Sequence, residues 1–304
     1  MGSSFVQVNG VRIGVEQRGV GIDFCFRARG EKSSPHSRCV RGLTLVMLHG
    51  FTGSAAAWGS HLDTLAADGW RVIALDLPGH GQSEAPDDPQ CYTIEYCQQA
   101  ILTALHDLGV SWGEAVLMGY SMGGRIALHA AFSGFFRALI LESASPGLAD
   151  PVEREQRRMS DEALSASIER DGVEAFIDHW EKLPLFASQH TLPVETREAL
   201  RLQRLHNRAS GLAQSLRGVG TGVQPPLHAR LPTLRIPVLL IAGELDTKFT
   251  ALARYMASAL PHAQLCIVSG AGHAVHLERP EEFDALIGNF IKGVRHVSTL
   301  ATSP

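Results

Sequence analysis

The spacing of hydrophobic residues changes three times along this chain, and the last two changes divide it into three parts. Near the start, segments 5–8, 11–16 and 22–27 alternate apolar with polar residues, which is the spacing of half-buried strands. Asn9-Gly10 between the first two is a tight-hairpin signal. The polar stretch 31–37 reads as an exposed loop. From Leu43 onward, runs of Val, Ile and Leu lose that alternation at 43–48, 71–75, 115–118, 138–141, 238–241 and 264–268. Amphipathic segments at 56–67, 94–108, 122–132, 250–260 and 280–290 read as helices. Continuous apolar strands separated by helices predict a mostly parallel central sheet covered on both faces, an α/β class fold.

The alternation of strand and helix pauses between residues 147 and 231. That stretch is charged, rich in arginine, helical in period and too long for a loop in a compact domain. It predicts a helical lid inserted between two parts of one core, which divides the chain into 1–146, 147–231 and 232–304.

Composition narrows the function classes. With 304 residues, 45% hydrophobic and 19% charged, the chain suits one large domain with an insertion. A net charge of -4 gives no reason to expect nucleic acid or an anionic membrane as partner. Five cysteines without metal-ligand spacing predict free thiols in a reducing compartment. No signal-like N-terminus and no apolar run of about 20 residues is present, so the expectation is a cytoplasmic protein. Neither a metal site nor a phosphate loop is visible, and no cofactor is expected.

Gly119-Tyr120-Ser121-Met122-Gly123 follows a predicted strand and opens a predicted helix. In that context the GxSxG pattern is a nucleophile elbow, a strained turn that presents the serine hydroxyl. An activated serine needs a base and an orienting acid, supplied in this arrangement by loops after later strands. Asp246 follows the strand at 238–241, and His273 follows the one at 264–268. Glu244 is the rival acid and His276 the rival base. Two backbone N–H donors would complete an oxyanion hole: that of Met122, at the helix start, and that of Phe51, after the tight turn at Gly50. His49 and the 76–81 loop are expected to shape structure.

Together these motifs resemble the α/β-hydrolase superfamily over nearly the whole chain. Finer features are similar to the 2-succinyl-6-hydroxy-2,4-cyclohexadiene-1-carboxylate (SHCHC) synthases of menaquinone biosynthesis. They include Gly119 to Arg125, Glu142 to Leu148, Trp180 to Phe186, Gly243 to Phe249 and Gly272 to Glu278. Leu212 to Gly218, Gly220-Thr221-Gly222 and Gln224-Pro225 belong to the same set. The resemblance implies a lyase that removes pyruvate from a small multi-carboxylate substrate, with Ser121, Asp246 and His273 acting as a general base. It also implies substrate contacts at Arg154, Trp180 and Arg204. Two departures stand out, the long stretch 18–42 and the acidic Glu181 beside Trp180.

The charge pattern points to an anionic substrate as well. Arg197, Arg201, Arg204 and Arg208 recur at helical steps, and guanidinium forks suit carboxylates. Arg125, one turn past the elbow serine, is expected to bind a carboxylate. Tyr120 lines the pocket by its place in the elbow. Arg157 and Arg158 are neighbours that compete with Arg154. An ordinary serine hydrolase using the same triad is the alternative, followed by a ligand receptor that keeps the scaffold.

Overall fold

The computed structural model describes residues 2–19 and 43–300. The strand expected at 22–27, the loop at 31–37 and most of the long stretch 18–42 lie outside the described residues. Two strands, β1 (Gly2–Val8) and β2 (Val11–Arg18), open the sheet as an antiparallel hairpin. Asn9 and Gly10 both take positive φ, 48° and 84°, as a two-residue hairpin turn requires.

Six parallel strands follow: β3 (Thr44–Leu48), β4 (Arg71–Leu75), β5 (Ala115–Tyr120), β6 (Phe136–Glu142), β7 (Val238–Gly243) and β8 (Ala263–Val268). The eight strands are ordered β1-β2-β4-β3-β5-β6-β7-β8, with β2 antiparallel to β4. β3 and β7 are buried along their whole length, which explains their unbroken apolar sequence. Helices α1 (Ser60–Ala67), α2 (Ile94–Asp107) and α3 (Met122–Ala131) cover the first half of the sheet. All ten residues of α3 are buried.

Between β6 and β7 the described chain is helical and contains no strand. It forms α4 (Pro151–Trp180), α5 (Val194–Leu205) and α6 (Ala209–Val219), with a short 3-10 stretch at Pro184–Thr191. α4 is broken by Gly172, at φ 85° and ψ 171°. Ile168, Phe176, Ile177, Leu212 and Leu216 give these helices a small core of their own. The second half closes with α7 (Thr247–Ala259), α8 (Val275–Glu278) and α9 (Pro280–Leu300).

The helical insertion meets the sheet layer through glycines. A Cβ on Gly211 of α6 would lie 2.2 Å from the Gly79 carbonyl oxygen, and one on Gly218 would lie 2.3 Å from that of Tyr92. Alanine raises helix propensity by about 1 kcal/mol over glycine, whereas overpacking costs about 1–3 kcal/mol. The clash is with backbone, so it wins. Gly211→Ala is therefore expected to lower the melting temperature. An unchanged or raised Tm would show that α6 lifts off this loop freely.

Candidate active site

β5 ends one residue before Ser121, and α3 begins one residue after it. Ser121 is held at φ 51° and ψ -107°, a conformation that costs a non-glycine residue about 1–3 kcal/mol. Neighbouring glycines make the turn possible. A Cβ on Gly119 would lie 2.3 Å from the Gly123 carbonyl oxygen, and one on Gly123 would lie 2.4 Å from that of Leu48. The Ser121 N–H donates to the Glu142 carbonyl at 2.9 Å, which ties the elbow to the end of β6.

The hydroxyl faces a histidine. His273 Nε2 is 3.0 Å from Ser121 Oγ, and its Nδ1 is 2.6 Å from Asp246 Oδ2. His273 and Asp246 are both buried. Asp246 also caps α7, its Oδ1 accepting the Phe249 N–H at 3.1 Å. The Ser143 hydroxyl donates to the His273 carbonyl at 2.7 Å, fixing the histidine from below. Sequence reasoning did not single out that contact, because it joins residues 130 positions apart.

The rival groups are committed elsewhere. Glu244 is exposed and accepts from Ser269 Oγ and the Gly270 N–H. His276 Nδ1 lies 2.9 Å from both oxygens of the fully buried Glu142. His49 is locked between the Gly50 carbonyl, 2.8 Å from Nδ1, and the Leu77 N–H, which donates to Nε2 at 3.0 Å. Asp76 accepts the Ala55 and Gln82 N–H groups and shapes its loop.

The triad opens into a cavity of about 570 Å³ between the sheet and the helical insertion. Arg125, Arg157, Arg204 and Lys248 line it, and among the described residues no aspartate or glutamate does. Phe51 and Met122 also line it. Met122 opens α3, where first-turn N–H groups lack helical acceptors and the helix dipole is positive. Gly50 stays a glycine because a Cβ there would lie 2.7 Å from the Tyr120 ring. Burial pushes the Tyr120 phenol well above its usual range, so it stays protonated.

A model of the alpha/beta hydrolase family matches residues 45–286. The chain belongs to the α/β-hydrolase family. A SHCHC synthase from Serratia proteamaculans (strain 568) is 34% identical over 81% of this chain and 92% of its own length. A Bacillus subtilis (strain 168) protein assigned provisionally to the same synthase is 42% identical, over 82% of this chain and 90% of that protein. The solved structure of MenH from S. aureus superposes with a TM-score of 0.82 at 34% identity, covering 92% of this chain and 98% of that one.

In this α/β hydrolase, Tyr120, Arg125, Trp180 and Arg204 all line the cavity, but Arg154 does not. Arg154 lies in the first turn of α4, and its Nη1 caps the carbonyls of Leu148 and Ala149 instead. Arg157, three residues further in, reaches the cavity and is anchored to Asp161 at 2.8 Å. The arginine stripe also divides. α5 ends at Leu205, so Arg208 belongs to the start of α6 and donates to the Ser83 carbonyl. Arg197 is exposed and Arg201 pairs with Asp178 and Glu181, leaving Arg204 as the member of the four that lines the cavity. The partner acids come from α4 and its C-cap, far away in sequence, and the local pattern gave no sign of them.

Arg125 is buried, and its Nη1 donates to the Val219 carbonyl at 2.7 Å and to Gln224 Oε1 at 2.9 Å. Burial, with the nearby Arg157 charge, lowers it to about 10. It therefore remains a cation at neutral pH. The Trp180 indole N–H is buried with no partner among the described residues, although its ring packs on Phe51, Phe176 and Phe186.

The insertion also holds the loop that carries Phe51. Thr52, at φ 67°, presents its carbonyl to Asn207 Nδ2 at 2.8 Å and to Gln203 Nε2 at 3.1 Å. Asn207→Ala leaves this buried carbonyl a weaker set of donors, at a cost of about 1–3 kcal/mol. The expected result is a kcat lowered at least several-fold with KM little changed; an unchanged kcat would show that the loop holds itself.

Buried imidazoles make the fold sensitive to acid. Burial pulls His49 down to about 4, His80 to about 3 and His129 to about 4. The unfolded chain protonates these groups near pH 6.5. Their neutral forms therefore favour the fold fully above that pH, and the contribution is lost as pH falls towards 4. Thermal melts should show Tm dropping through this window. A flat Tm would mean that these rings are solvated.

Proposed function

We propose that this chain is a SHCHC synthase, a lyase that eliminates pyruvate from 2-succinyl-5-enolpyruvyl-6-hydroxy-3-cyclohexene-1-carboxylate. The observation that carries the reading is a hydrogen-bonded Ser121–His273–Asp246 line opening into a cavity that, among the described residues, is lined by four cations and no carboxylate. Such a lining suits a substrate with several carboxylates and gives an apolar ester little to bind. The similarity to the Serratia synthase supports the same reading.

In this mechanism His273 takes the Ser121 proton while Asp246 steadies the resulting imidazolium. The Ser121 alkoxide then removes the ring proton beside the succinyl ketone, so the hydroxyl is restored. The electron pair moves into the ring, the ring double bond shifts, and the bond to the enolpyruvyl oxygen breaks. Pyruvate enolate leaves and is protonated to pyruvate by the proton that the His273 imidazolium gives back, which restores the neutral base. No water is consumed and no acyl-enzyme forms. The N–H groups of Phe51 and Met122 are assigned to the charge that develops on the ketone oxygen. Arg125, Arg157 and Arg204 are assigned to substrate carboxylates, and the Trp180 N–H to a further acceptor.

Substrate generated by the upstream enzymes provides the test. The expected outcome is pyruvate release that falls by orders of magnitude in Ser121→Ala and His273→Ala, because triad members act as a unit. Arg125→Ala and Arg204→Ala should chiefly raise KM. Silent arginine variants would contradict the anionic-substrate assignment. A burst of p-nitrophenol from p-nitrophenyl acetate would indicate an acyl-enzyme and a hydrolase instead.

A further inference from the structure

Arg204 is buried at the wall between the triad cavity and an adjoining cleft, and lines both. Its Nη1 donates to Glu181 Oε1 at 3.1 Å, and its Nη2 to Gln189 Oε1 at 3.2 Å. Glu181 lines the cleft but not the triad cavity, so it meets the guanidinium from behind. Its other oxygen, Oε2, takes Arg201 Nη1 at 3.0 Å. Gln189 is buried, and its Nε2 has no partner among the described residues. The Arg204 guanidinium and the Gln189 amide thus line a site whose anion is supplied by the protein itself.

We propose that Glu181 is an internal counter-anion that competes with the substrate's carboxylate for Arg204 and thereby limits how tightly substrate and product are held. The proposal rests on the anionic-substrate reading above. With the cavity empty, a buried guanidinium without a counter-charge would be strongly unfavourable. Glu181 removes that penalty. The same contact reduces what an incoming carboxylate gains, because part of the Arg204 charge is already neutralised. Loss of Glu181 should therefore have two effects of opposite sign. The empty protein becomes less stable, and anion binding becomes tighter. A merely structural role for Glu181 would make both worse, since a displaced Arg204 would lose its anion along with its fixed position.

The test is calorimetric titration with succinate, the dicarboxylate that matches the substrate's side arm, alongside thermal melts and steady-state kinetics. Glu181→Gln is expected to lower the succinate Kd about five-fold, the scale of one partly exposed ion pair, and to lower both KM and the Tm of the empty protein. Glu181→Asp, which keeps the charge, should stay within about two-fold of wild type. Arg204→Ala should weaken succinate in either background. Should Glu181→Gln prove insoluble, Arg201→Gln on the exposed side tests the same coupling. It leaves Glu181 leaning on Arg204 alone and should weaken succinate binding, and an unchanged Kd would overturn the proposal. So would a Glu181→Gln protein whose succinate affinity falls or does not move. Tighter succinate binding in a protein that releases no pyruvate from the cyclohexene substrate would uphold the role of Glu181 while removing the lyase reading. If wild type ignores succinate, the counter-anion has nothing to compete with, and the proposal fails.

Discussion

The site depends on a close approach of backbone to backbone around Ser121. The serine adopts a left-handed φ only because Gly119 and Gly123 let β5, α3 and the end of β3 come within distances that any Cβ would block. That contact fixes where the hydroxyl points. Met122, the next residue, is the first of α3. The strain at Ser121 is sustained by a buried helix on one side and a buried sheet on the other, neither of which can relax without exposing apolar surface.

The remaining parts are registered to that elbow by β6 and β7. The carbonyl of Glu142 holds the Ser121 N–H, and the next residue, Ser143, holds the His273 carbonyl. Two consecutive residues at one strand end thus set the distance between nucleophile and base. Asp246 serves the triad with one oxygen and the start of α7 with the other, so its orientation is set by a helix cap. The helical insertion then closes the cavity and, through Asn207 and Gln203, grips the Phe51 loop.

Much of this was legible in the sequence because it rests on local signals. Apolar runs gave the six parallel strands, Asn9-Gly10 gave the hairpin, and the GxSxG context gave the elbow. The triad followed from chain order and strand ends. What the sequence concealed rests on distant pairing. Arg154 and Arg157 differ by less than one helical turn, yet nearby carbonyls claim the first and the cavity takes the second. The stripe from Arg197 to Arg208 looked like one face, but the helix ends at Leu205 and acids around the end of α4 neutralise its middle. Lys248 belongs to a family motif in the sequence, but only the fold puts it at the cavity.

The central claim is that Ser121 moves a proton and does not attack a carbonyl. The most direct measurement follows two products in one reaction on the cyclohexene substrate: pyruvate, by enzymatic reduction, and the conjugated diene, by its absorbance. Elimination predicts that they appear together in a one-to-one ratio from the first turnover. Pyruvate released without the diene would mean that water had replaced the leaving group, and would contradict the account.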